Sequence, residues 1–146
     1  MKKRVMSSMK SGGVVAAANV CIKEAYPITD SVNKTLKDGM SIKRISNRYR
    51  NPANKPSEDE KKILDSLNEL VENGAVVMPY ILTESKESYK LYKPLLIDKP
   101  ICMKCHGNIS KDSELSKILS STYSDDKSLN HKMGDLRGAV VVTTKK

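Results

Sequence analysis

The sequence predicts an α+β domain, a small antiparallel sheet with helices packed against it, and three observations carry that prediction. Residues 57–71 have the helical period: Ser57 and Glu60 form a capping box, and Ile63, Leu64, Leu67, Leu70 and Val71 make one apolar stripe. Residues 75–82 and 88–96 are rich in Val, Ile, Leu and Tyr and flank the polar turn 83–87, the pattern of an antiparallel hairpin. Residues 136–144, rich in Val, supply a last strand. The 146 residues have the length of one domain, so 1–146 is read as a single unit.

The other elements follow in chain order. Residues 5–29 read as two helical pieces broken at Gly12-Gly13, the second carrying Ala16, Ala17 and Ala18 before Cys21, with Pro27 near its end. Ala17, Ala18 and Ala25 share the helix face of Cys21, which is therefore nearly flat and admits a flat ligand. A short helix is predicted from about Asp30 to Gly39, then a strand within 41–49, where Ile42, Ile45 and Tyr49 sit among basic residues. Residues 51–56 form a loop, because Pro52 and Pro56 each push the preceding residue out of the helical region. Pro79 and Pro94 imply sheet edges or strand ends in the hairpin. A short helix is expected over 113–119, then a polar loop to Gly134 before the last strand.

Composition narrows the function. With no Trp, no Phe and six Tyr, side chains alone build a thin core, and a bound group could help fill it. The 26 Lys and Arg against 17 Asp and Glu give a formal charge of +9, which suits nucleic acid, an acidic partner or a ligand carrying carboxylates. The basic residues are scattered rather than gathered, which disfavours nucleic acid. No repeat is visible, excluding a solenoid, and no apolar run approaches the roughly 20 residues that cross a bilayer. Met1-Lys2-Lys3-Arg4 looks like the start of a secretory signal, but Ser7, Ser8 and Lys10 occupy the place of its apolar stretch. Bulky Val20 also stands where a lipoprotein peptidase needs a small side chain before Cys21. The chain is thus read as cytoplasmic, or as having its export signal outside this sequence.

The chemical signal is Cys102-Met103-Lys104-Cys105-His106, the C-x-x-C-H pattern of c-type haem attachment. Two cysteines one helical turn apart can bond the two vinyl groups along the haem edge, and the following imidazole can reach the iron. A dithiol redox site would need a βαβ unit that is not visible. A zinc site could recruit Cys102, Cys105, Cys21 and His131, but the second pair lacks the usual close spacing. A disulfide with Cys21 would leave an odd thiol among the three. Haem would also add apolar surface to the core, and its propionates could pair with Arg48, Arg50 or other basic residues. For the second axial position Cys21, His131, Met133 and the other methionines are candidates, beside an open site; Met would suit electron transfer, and a Cys thiolate would favour ferric iron. No paired carboxylates, activated nucleophile or phosphate-cradling glycine loop stands out, so the chain is not read as an enzyme.

A wider set of residues carries a resemblance: Ala16-Ala17-Ala18-Asn19-Val20-Cys21, Arg50-Asn51-Pro52-Ala53-Asn54-Lys55-Pro56, Tyr92-Lys93-Pro94-Leu95, Cys102 with Cys105-His106-Gly107, Asp125-Asp126-Lys127, and Gly134-Asp135-Leu136-Arg137-Gly138-Ala139. In this order, over nearly the whole chain, the set resembles the c-type haem family with a PAS-like fold, formerly a domain of unknown function. The resemblance implies a PAS-like antiparallel sheet flanked by N-terminal and connecting helices. It also implies one covalent haem c per chain, with the iron held by His106 and Cys21. It further implies a periplasmic redox or gas sensor, free-standing or attached to a membrane signalling protein, with a ligand change on reduction or on binding CO or NO. The alternative is a small monohaem cytochrome that transfers electrons to a redox partner. Asn19-Val20 before the cysteine, and His131 where an aromatic is commoner, depart from the family pattern. Covalent haem attachment takes place outside the bacterial cytoplasm, so this reading implies export.

Overall fold

Nine elements follow one another in the computed structural model, which describes residues 2–146. They are α1 (Lys2–Asn33), β1 (Met40–Ile45), a 3-10 turn (Pro52–Asn54), α2 (Glu58–Glu72), β2 (Ile81–Glu84), β3 (Ser88–Leu96), α3 (Pro100–His106), α4 (Glu114–Thr122) and β4 (Leu136–Lys145). The four strands form one antiparallel sheet in the order β1-β4-β3-β2. The Val-rich β4 is central, paired on both sides, where β-branched side chains pack well.

Strand alternation sends Ile45, Tyr92, Ala139 and Val141 to one face, where they meet Leu136 and the α2 residues Leu64 and Leu67. The Ser57–Glu60 capping box forms as the sequence predicts and starts α2. Glu60 is itself buried, and Lys43 of β1 at 2.8 Å and Lys90 of β3 at 3.8 Å neutralise it. A second, smaller core joins Ala18 of α1 to Leu115 and Leu119 of α4. The small side chains predicted on α1 let these two helices approach closely.

The break at Gly12-Gly13 is present: Gly13 has φ +72, which only glycine adopts without strain. It reverses the chain. Arg4 pairs with Glu24, twenty positions on, whereas a straight helix would hold them about 30 Å apart. By length and composition, Lys3–Asn33 is long and apolar enough to cross a membrane, which a search for one unbroken apolar run misses. Here that stretch doubles back instead.

Three boundaries differ from the sequence expectation. No separate helix starts near Asp30: α1 continues through Pro27 to Asn33, and turns lead from there to Gly39. Tertiary contact sustains that end, since Asn33 donates from Nδ2 to the Ile42 carbonyl at 2.9 Å and accepts from the Ile42 N–H at 2.7 Å. Residues 75–80 stay outside the sheet, and β2 begins only after Pro79, which has no N–H for a ladder. β1 ends at Ile45 rather than extending toward Tyr49, because the Ser46 N–H turns to the Asn54 carbonyl at 3.0 Å.

Candidate functional site

Pro100, with φ preset for the first helical position, opens α3, and Gly107 closes it by donating its N–H to the Met103 carbonyl at 2.9 Å. The seven-residue helix sets Cys102 and Cys105 one turn apart and places His106 at its end. Cys105 and His106 line an open cleft. Ala18, Cys21 and Ala25 of α1 line the same cleft, as do Leu119 and Tyr123. Of the small neighbours predicted on the face of Cys21, Ala18 and Ala25 line the cleft with it, whereas Ala17 is buried outside that lining.

His106 Nδ1 lies 3.1 Å from the Ser128 carbonyl oxygen and 2.7 Å from Ser128 Oγ. A carbonyl can only accept, so Nδ1 carries the proton and the lone pair belongs to Nε2. Burial, then the nearby Arg137 and Arg50 charges, push the His106 pKa down to about 2, which keeps the ring neutral. A neutral imidazole fixed through one nitrogen with the other left free is what a metal requires of a histidine ligand.

Cys21 and Cys105 are also held as neutral thiols. Burial raises the pKa of Cys21, and it raises that of Cys105, which Cys21 raises further. Each would become a thiolate only opposite a strong positive centre or by bonding. Cys102 is half-buried and is not among the residues lining the cleft. No group of three or more His, Cys, Asp or Glu among the described residues is placed to hold a bare metal ion.

The candidate axial donors separate in space. Cys21 lines the cleft, whereas His131 and Met133 do not. Met133 is exposed, and His131 is buried with its ring centroid 6.1 Å from that of His106. Burial, then Arg48 and Arg137, lower the His131 pKa to about 4.

The two arginines singled out in the sequence also part. Arg50 lines the cleft, where its Nε donates to Asp126 at 2.8 Å and its Nη2 to the Cys105 carbonyl at 2.7 Å. Arg48 is absent from the lining. Its guanidinium serves the loop after α4, donating to the Leu129 carbonyl and lying 3.2 Å from His131 Nδ1 and 3.5 Å from Asp135. Arg44 and Arg137, which the sequence reading does not single out, line the cleft beside Arg50. Their signal was weak but present: Arg137 is a charge at the start of an otherwise apolar strand. Ser128 and Asp126, the brace behind His106, lie in a polar loop with no periodic pattern to mark them.

A family model described as Tll0287-like matches residues 2–144. The chain is similar to the crystal structure of the cyanobacterial heme-protein Tll0287, with a TM-score of 0.68 and 18% identity over 99% of this chain and 87% of that one. At that identity the likeness is one of fold, the same mixed arrangement of helices and antiparallel sheet. No curated protein matches the chain.

Proposed function

The chain belongs to the Tll0287-like family, and on that footing we propose that it binds one covalent c-type haem in the cleft and acts as a redox or gas sensor. The observation that carries this reading is His106, neutral, fixed through Nδ1 and lining the same cleft as Cys105 and Cys21. A bound haem would supply a redox-active iron able to take a small diatomic ligand.

The residues divide the work. Cys102 and Cys105 offer the two thiols for thioether bonds, and His106 offers Nε2 as one axial donor. Cys21 offers a thiolate as the other donor, which its burial destabilises unless a positive centre faces it. Release of Cys21 would then be the switch. It would leave the second half of α1 tied through the Leu115 and Leu119 contacts and the Asn33–Ile42 pair, free to shift within those limits. We read the domain as non-enzymatic and exported to the periplasm, where c-type attachment takes place. Its partners would be a small gas or a redox protein, and a membrane signalling protein it is attached to or contacts; nucleic acid is not among them.

The test is expression beside c-type maturation machinery, followed by mass spectrometry and ferric and ferrous spectra with and without CO. One haem of added mass, a Soret band and a CO-bound ferrous form are expected. Colourless protein at its bare mass would end the haem reading. A ferrous form that refuses CO and keeps both axial donors through the redox cycle would replace sensing with electron transfer.

A further inference from the structure

Four cations line the cleft: Lys43, Arg44, Arg50 and Arg137. Two have carboxylate partners, Lys43 with Glu60 and Arg50 with Asp126, each at 2.8 Å. The other two have none among the described residues. Arg44 makes no hydrogen bond or ion pair from its side chain there. Arg137 touches only neutral groups, with Nη1 3.0 Å from Ser46 Oγ and 3.1 Å from the Arg48 carbonyl, while its Nε is buried without any partner. A buried guanidinium with an orphaned N–H and a second arginine nearby is costly, and carboxylates placed between the two relieve that cost. We infer that Arg44 and Arg137 are the carboxylate-binding pair of this cleft, gripping the acidic groups of its ligand. This rests on the haem reading, under which those groups are the two propionates. Burial and the proximity of Arg44 and Arg50 push the Arg137 guanidinium down to about 9, in keeping with unscreened like charges. Arg50, already bonded to Asp126 and Cys105, braces α3 instead.

The experiment titrates the haem-free full chain with ferric haem and with its dimethyl ester, which lacks both carboxylates, following the Soret band. Wild type should bind the free acid more tightly than the ester. Arg44→Gln and Arg137→Gln should each weaken the free acid by about tenfold and leave the ester unchanged. Arg44→Gln should also raise the Tm of the haem-free chain, because it removes like-charge repulsion, a gain that an arginine with a merely structural role would not give. Should Arg137→Gln fail to fold, Arg44→Gln decides alone. Variants that bind the free acid as wild type does, or that lose both forms equally, overturn the assignment. Binding of neither form by wild type, with no haem attached on expression beside the maturation machinery either, overturns the haem reading itself. The pair is then judged by whether citrate, a polycarboxylate, raises the Tm of wild type and not of Arg44→Gln, and no such difference would overturn it as well.

Discussion

Ser128 holds His106 through two contacts, Oγ at 2.7 Å and the carbonyl oxygen at 3.1 Å from Nδ1, across 22 residues of chain. Ser128 is itself fully buried, and its N–H donates to Asp126 Oδ1 at 2.8 Å. Asp126 accepts from Arg50, which in turn donates to the carbonyl of Cys105. The loop after α4 and the end of α3 are thus closed into one ring of hydrogen bonds, so the orientation of His106 is set from outside its own helix.

Ser128→Ala keeps the carbonyl acceptor and removes Oγ. The Nδ1–H then has one acceptor instead of two, and the imidazole becomes a poorer donor to iron. In the haem-loaded protein the reduction potential is expected to rise, with about a tenfold loss in the affinity of the imidazole for the metal. Ser128→Thr should restore the wild-type potential. A spectroelectrochemical titration that gives one potential for all three proteins would remove Ser128 from this role.

Cys21→Ser leaves the attachment cysteines untouched, so the haem-loaded mass should rise as in wild type while the ferric absorption spectrum changes. Without haem the cost should be small, about 1 kcal/mol for placing a hydroxyl at a half-buried site. An unaltered ferric spectrum would take Cys21 off the iron.

Glu60 makes stability depend on pH in a defined direction. Burial opposes its charge, yet the Lys43 contact, the Ser57 N–H and Lys90 outweigh that and hold its carboxyl below the usual range. Its folded pKa lies under its unfolded one, so the unfolded chain binds more protons below about pH 4.5. The contribution is therefore complete above that pH and is lost as the pH falls through the folded value. Glu60→Gln should cost about 2 kcal/mol at neutral pH and progressively less in acid. Urea unfolding from pH 7 to pH 3 checks this, and a constant difference between the two proteins would contradict it.

Gly138→Ala should be among the most damaging small changes in the chain. Its φ is +143, and an added Cβ would sit 2.2 Å from the Ile45 carbonyl oxygen in the neighbouring strand. A loss of about 3 kcal/mol or more is expected, from strain and overlap together. Gly74→Ala, at φ +68 with nothing within 4 Å of the added carbon, isolates the backbone cost alone at about 1 kcal/mol. Thermal melts that rank the two equally would contradict the argument.

Much of this was legible in the amino-acid order, because it depends on neighbours within one or two turns. The Ser57–Glu60 cap, the break at Gly12-Gly13, the one-turn spacing of Cys102 and Cys105, and the flat face around Cys21 are all local patterns. Local propensity also misled: Pro27 suggested an end to α1, but the paired bonds between Asn33 and Ile42 hold the helix past it. What only the tertiary structure decided is which distant side chains meet. The sheet order puts β4 beside β1 and carries Arg137 to Ser46, 91 residues away and beside the cleft, while the turn of the chain after α4 sets Ser128 behind His106. Such contacts leave no periodic trace, since a charge or a serine in a strand or loop is neutral to local conformation. Its value comes from burial and from the partner that the fold brings to it.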